Sequence, residues 1–426
     1  MPSSENPNFF AGPFSGPLAG LRVVELGTTI AGPFCARLMA DFGAEVIKIE
    51  PATGDPVRAS SKRIHTKSLY AASLMRNKAL IALNLKSPQG QKIVKDLVAK
   101  SDIVVENYKP GALERWGLGY EDLIKINPGL IMTRISGYGQ TGPYSDRRGY
   151  GVVCEAVSGL RSIIGEPDRP PSRVTLALTD YITGLYGAFG TVMAMVHKLR
   201  TGKGQYIDLA LSEAAFSFME PYVPAYDKLQ FVPQRSGARL IDSAVNNLFA
   251  SKSGEFVHIQ GSQDAGFARL VKAIGKPELA EDERFQRRVN RAKNQDQIDD
   301  IIQSWTGQYE ADEIIERLGA HDIPSSRVNT IADVFGDPHF QARDMLHETP
   351  DGELGTVKLA GIVPKLSLTP GEIRHAGGRV GQDTRDVLST LLGYRDVEID
   401  KFESEGVVFC NDAAAQAVLS QGAKQE

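Results

Sequence analysis

Residues 18–50 read LAGLRVVELGTTIAGPFCARLMADFGAEVIKIE. The run 21–26 is short and apolar, Gly32 and Pro33 open a helical pattern that lasts to Asp41, and 45–50 returns to alternation. Strand, amphipathic helix and strand in that order make a βαβ unit. The pattern repeats outward: 80–85 (LIALNL), a helix opening near Pro88 with Ile93, Val94, Leu97 and Val98 on one face, then 103–106 and 130–135. Strands and helices alternate, so the expected class is α/β, a mostly parallel sheet with helices on both faces. Residues 129–151, dense in glycine and aromatics, read as a functional loop at the strand 130–135.

Beyond this frame the chain changes character near Tyr226. From there to about 330 come a short strand (255–260) and charged amphipathic helices around 285–305 and 311–318, which suggest a smaller second domain. The last stretch returns to turns such as Asp351-Gly352 and a helix over 383–392, and residues 413–426 are expected to fray. A length of 426 residues, with 42% hydrophobic and 23% charged, fits an ordinary globular protein of two or three domains. With 48 Lys and Arg against 52 Asp and Glu, no basic surplus exists to neutralise a nucleic-acid backbone. The three cysteines, Cys35, Cys154 and Cys410, are odd in number and far apart, which suits reduced thiols. Residues 1–17 have neither a basic nor an apolar signal region and read as a loose polar arm, so a cytoplasmic location is expected. The most apolar stretch, 184–196, is shorter than the ~20 residues of a bilayer span and reads as a core helix, with no membrane role.

Several chemistries lack their residues. The turn from Gly27 to Gly32 sits where a strand feeds a helix, a place suited to anions, yet it does not match G-x-G-x-x-G. Gly202-Lys203-Gly204 lacks the rest of a P-loop, and no G-x-S-x-G elbow occurs. Seven histidines include no H-E-x-x-H and no pairing with cysteines, so no metal site is expected; His197 reads as a helix C-terminal charge. Among carboxylates Asp180 stands out, lying between the apolar run 174–178 and the apolar helix. As a pattern it reads either as a helix N-cap or as a nucleophile toward an acyl centre, and the two are compatible.

The stretch 18–50 also closely resembles the class III CoA-transferases. The resemblance continues through NK at 77–78, LNLK at 83–86, VENYKPG at 105–111, SGYG at 136–139, TD at 179–180 with TG at 183–184, and TGKGQ at 201–205 with Asp208. It covers nearly the whole chain, most weakly over 226–253. It implies a Rossmann-like large domain built from 1–225 and a returning segment 333–426, a small domain over 226–332, and an interlocked homodimer. It also implies that Asp180 attacks an acyl-CoA, forming an anhydride and then an aspartyl-CoA thioester that a carboxylic acid acceptor discharges. Coenzyme A, as acyl-CoA, is the only cofactor-like group implied. Its contacts carry over onto Thr29, Ile30, Leu83, Lys86, Asn107, Tyr108, Lys109, Arg115, Ser136, Gly137, Tyr138 and Gly139. Lys86, Lys109 and Arg115 suit the phosphates, and Tyr138 suits the pantetheine.

Two departures narrow the substrate. Pro51 stands where formyl-CoA transferases carry an arginine, and no poly-glycine lid occurs between Tyr226 and Gly261. The related 2-methylacyl-CoA racemases, the alternative reading, place a catalytic histidine where this chain has Tyr150, a poor base near neutrality. Arg58, Arg169 and Arg173 flank the expected site segments and are candidates to pair the distal carboxylate of a succinyl group.

Overall fold

The structure, a computed structural model, describes residues 15–240 and 242–410. Most of the N-terminal arm and the whole 413–426 tail lie outside the described residues. The chain divides into two compact units, one of Met1–Leu160, Val174–Pro221 and Gln341–Glu426, the other of Arg161–Arg173 and Tyr222–Phe340.

The larger unit is built on a seven-stranded sheet. Its strands are β1 (Arg22–Glu25), β2 (Glu45–Glu50), β3 (Lys78–Leu83), β4 (Ile103–Glu106), β5 (Ile131–Ser136), β6 (Tyr206–Ala210) and β7 (Val408–Phe409). They lie in the order β7-β3-β2-β1-β4-β5-β6, all parallel except β7, which runs antiparallel to β3. The order 3-2-1-4-5-6 is the doubly wound Rossmann arrangement. β1 to β5 are buried along their whole length, as strands covered on both faces must be.

The helices that matter to the site are α1 (Ala31–Asp41), α2 (Pro88–Ala99), α3 (Gly151–Val157), α4 (Leu178–Thr201) and α5 (Leu211–Phe216). α2 starts at the Ser87-Pro88 signal, with the Ser87 hydroxyl accepting from Gly90 N–H (3.0 Å), and buries Ile93, Val94, Leu97 and Val98. α4 crosses α1 closely at Gly184, where an added Cβ would lie 2.7 Å from the Ala31 carbonyl oxygen and 2.9 Å from the Phe34 ring. Only glycine permits that approach, and it brings the first turn of α4 up to the segment leaving β1.

β3 begins two residues earlier than its apolar run suggests, pairing with β2 from Val46↔Lys78 onward. Lys78 is polar in sequence yet 1% exposed, because its ammonium finds a carboxylate in the core. The C-terminal segment returns to this edge: Val387, Leu388 and Leu391 join the main core, and Thr384 Oγ1 accepts from Ala82 N–H and donates to the Phe409 carbonyl. The expected 383–392 helix is one turn, Thr384–Asp386, followed by a wider π-type turn at Val387–Leu391. The Asp351-Gly352 turn joins a hairpin, Leu346–Asp351 with Gly355–Ala360.

The second unit has its own core. Antiparallel strands Asn246–Ala250, Phe256–Gln260 and Ser325–Arg327 pack with helices Asp264–Ala273, Gln295–Thr306 and Ala311–Gly319 around Phe249, Phe267, Phe285, Ile302 and Trp305. Among the described residues no helix is long and apolar enough to cross a membrane.

Candidate active site

In a doubly wound sheet, ligands bind beyond the carboxyl ends of the strands where the order reverses, here between β1 and β4. A cavity of about 390 Å³ lies there, walled by Thr28 and Thr29 after β1, residues 107–110 after β4, Ser136 and Gly137 after β5, and residues 147–150 with Asp180.

The β1 loop is held by groups beneath it. Fully buried Glu25 takes Lys48 on one oxygen (2.9 Å) and Lys78 on the other (2.6 Å). Lys48 also reaches Asp55 (2.9 Å) and the Gly27 carbonyl (2.8 Å). Burial alone would raise the Asp55 carboxyl, but the Lys48 ammonium and the Val57 and Thr29 N–H groups hold it below the usual carboxylate range. Thr29 sits at φ +66°, an unusual conformation for a β-branched residue, and its N–H donates to Asp55 (3.0 Å). Thr28 is clamped by Asn107, whose amide accepts from Thr28 N–H (2.7 Å) and donates to the Thr28 carbonyl (2.8 Å). Removing one partner from such buried pairs is costly, so the network fixes where the loop lies.

Asp180 stands in the first turn of α4 with its carboxyl half-buried on the cavity. Burial pushes its pKa up to about 6 against the pull of its own backbone N–H, and no cation offsets the rise. It is not the N-cap of α4, a position that Ala177 holds. Gly151, opening α3, lies against it so closely that an added Cβ would collide with Asp180 Oδ2. Neighbouring Cys154 has its thiol pushed up to about 11 by burial and by the Asp180 charge, and donates weakly to the Gly137 carbonyl (3.2 Å). It is a neutral thiol at any ordinary pH.

Of the residues expected from sequence, the cavity brings together Asp180, Thr29, Asn107, Tyr108, Lys109, Ser136 and Gly137. Lys109 is half-exposed, with Asp146 3.9 Å away. Ile30 packs with Val57 and Ala71 behind the loop. Leu83 is 1% exposed, its side chain inside the main core, which leaves only backbone to meet a ligand. Lys86 and Arg115 are exposed beside the ends of β3 and β4, outside the cavity wall. Tyr138 packs edge-on against Tyr144 (5.7 Å), and Gly139 N–H donates to Ser136 Oγ (2.9 Å).

None of the three candidate arginines is among the residues that line this cavity. Arg58 engages both oxygens of Glu50 (2.7 Å each) and the Gly378 carbonyl (2.8 Å), and Arg169 and Arg173 belong to the second unit. The cavity is instead lined by Arg147 and Arg148, which sequence reasoning passed over. Their signal was position: adjacent arginines in a glycine-rich loop beyond a parallel strand. Tyr150 lines the cavity and no histidine does among the described residues.

Residues 18–384 match the profile of CoA-transferase family III. A succinyl-CoA–D-citramalate CoA-transferase of Chloroflexus aurantiacus is 40% identical over 394 residues, covering 92% of this chain and 98% of that protein. The beta subunit of a succinyl-CoA–L-malate CoA-transferase from the same organism is 41% identical over 397 residues, with the same coverage. The crystal structure of a CAIB/BAIF family protein from Brucella suis aligns at TM-score 0.79 and 32% identity, over 88% of this chain and 100% of that one. With a whole-chain sequence match, a matching fold and a lone carboxylate in the switch-point cavity all in agreement, the chain belongs to CoA-transferase family III.

Proposed function

We propose that this enzyme moves CoA from succinyl-CoA to a short hydroxydicarboxylic acid of the malate and citramalate type, the acids named in its relatives, with Asp180 as the covalent carrier. The observation that carries the proposal is Asp180 itself: among the described residues the only carboxylate on the cavity wall, half-buried, uncompensated by a cation, and ionised at neutral pH.

Desolvation makes that carboxylate a better nucleophile than one in water. One of its oxygens attacks the thioester carbonyl, the C–S bond breaks, and CoA leaves as thiolate. The mixed anhydride is then attacked at the Asp180 acyl carbon by the thiolate, which releases succinate and leaves an aspartyl-CoA thioester. An acceptor carboxylate repeats the sequence in reverse, and the returning thiolate frees Asp180. Each step exchanges one acyl bond for another, so no net proton or energy source is required. A racemase at this site would need a second group to move the α-proton, and the position where racemases place their histidine holds Tyr150, a poor base near neutrality.

Incubation with succinyl-CoA and hydroxylamine, without acceptor, is expected to convert Asp180 to the hydroxamate, seen by peptide mass spectrometry. An Asp180 peptide that stays unmodified while the enzyme turns over would refute the covalent route.

The proposal includes an interlocked homodimer. α4 is apolar on every side: Gly184, Gly187, Ala188 and Thr191 face the core, while Leu185, Phe189, Val192, Val196 and Leu199 form a stripe at spacings of four and three residues on the exposed side. Phe189 is 59% and Leu199 79% exposed, an unusual arrangement for a soluble helix without a partner. The 184–196 helix is therefore a core helix on one face only. Phe189→Glu, which removes no contact inside the core, is expected to halve the mass measured by light scattering; a wild-type protein that is monomeric at micromolar concentration would refute the dimer. The three cysteines, none in a disulfide, fit a reducing cytoplasm.

A further inference from the structure

The cavity that holds the Asp180 carboxylate is also lined by two exposed arginines, Arg147 and Arg148. Arg147 is stacked on the Tyr144 ring, 3.6 Å from its centroid, and Tyr144 rests in turn on Tyr138. Stacking fixes the plane of a guanidinium while leaving its N–H edge free, the arrangement suited to bidentate carboxylate recognition. Neither Arg147 nor Arg148 has a carboxylate partner among the described residues, in contrast to Arg58 on Glu50 and Arg134 on Glu106. Neither is ion-paired with Asp180 among the described residues, and burial is the chief cause of the raised Asp180 pKa. Arg147, Arg148 and Asp180 all line this one cavity, the two arginines at its exposed edge.

We propose that Arg147 and Arg148 bind the distal carboxylate of a dicarboxylic acyl group whose thioester carbon lies at Asp180, and so select dicarboxylyl-CoA over monocarboxylyl-CoA. The assignment rests on the transfer reading above and adds the residues that recognise the substrate. An acyl chain anchored at its far end delivers its carbonyl to Asp180 in a fixed position. A donor with a methyl group in place of that carboxylate leaves the two cations unpaired, and a site built for a polar group rejects such an analogue strongly.

The test compares kcat/KM for succinyl-CoA and butyryl-CoA in the wild type, Arg147→Met, Arg148→Met and Arg147→Lys, with melting temperature as the check on folding. The wild type is expected to favour succinyl-CoA. Each methionine variant is expected to lower the succinyl-to-butyryl ratio by roughly tenfold to a hundredfold, with Arg147→Lys between. Because Arg147 also supports Tyr144, Arg148→Met keeps the test decisive if Arg147→Met folds poorly. An equal fall for both donors would make the arginines anchors for CoA itself and overturn the assignment, as would an unchanged ratio in Arg148→Met. Absence of an Asp180 hydroxamate in the wild type is the separate result that would remove the transfer reading and this assignment together.

Discussion

Asp180→Asn is expected to fold and to lose CoA exchange by roughly 10⁴-fold or more, the scale seen when a covalent nucleophile is removed. The cavity offers no substitute. No other carboxylate lines it among the described residues, and the Cys154 thiol, raised chiefly by burial that the substitution leaves in place, stays protonated at working pH. The asparagine amide retains the shape of the side chain but cannot attack a thioester. The wild-type enzyme should show the same dependence as a pH profile: with the Asp180 pKa raised to about 6 by burial, kcat/KM should fall about tenfold per unit below that value. A folded pKa above the ordinary 3.8 means that the native state binds the proton more tightly than the unfolded chain, so stability falls as the pH rises from 3.8 to about 6, and above that the full cost of ionised Asp180 is present. Asp180→Asn removes that cost and should be more stable than the wild type at pH 7, by up to about 3 kcal/mol, an advantage that vanishes toward pH 4. Residual exchange within tenfold of the wild type, or a profile flat from pH 7 to 5, would exclude Asp180 as the carrier.

This combination of lost activity and gained stability distinguishes a strained functional group from a structural one. It also bears on what a sequence displays. The parallel strands were legible because burial on both faces demands unbroken apolar runs, as in VVEL after Arg22 and IVVE before Asn107. β3 was misplaced by two residues because its first member, Lys78, is charged; only the three-dimensional proximity of Glu25 makes burial of that ammonium tolerable, and a linear pattern carries no such information. β7 was invisible for another reason: two residues, Val408 and Phe409, are too short for any periodicity. α4 was recognised as apolar, but sequence cannot separate an apolar face turned to its own core from one turned to a partner. Asp180 was legible as an anomaly, a charge between apolar segments, and became a nucleophile only through the family resemblance. Arg147 and Arg148 were not, because surface arginines are common and their distinction lies in sharing a cavity with Asp180. Gly151 carried a stronger message than its composition suggested, since the contact that requires it is with a side chain 29 positions along the chain.

That contact gives the second large effect. Gly151→Ala is expected to leave the fold intact and to lower kcat by roughly 10²- to 10³-fold. Gly151 opens α3 with a negative φ, so alanine fits its backbone and should favour the helix by up to about 1 kcal/mol. The added methyl group, however, would overlap Asp180 Oδ2 and lie 2.9 Å from Cγ. The backbone on both sides is fixed: the Asp180 amide is only 3.5 Å from the new carbon, and the turn that carries it is set by the Gly184 crossing. The carboxylate must therefore rotate, and a nucleophile displaced by ~1 Å loses about a hundredfold through orientation alone. Melting temperature should be unchanged or higher, the yield of Asp180 hydroxamate should fall in step with kcat, and Gly319→Ala, at a glycine with open space around its Cβ position, should alter neither. A Gly151→Ala enzyme whose kcat stays within threefold of the wild type would show that the carboxylate is free to reach the thioester from another rotamer, and the fixed geometry argued here would then be wrong.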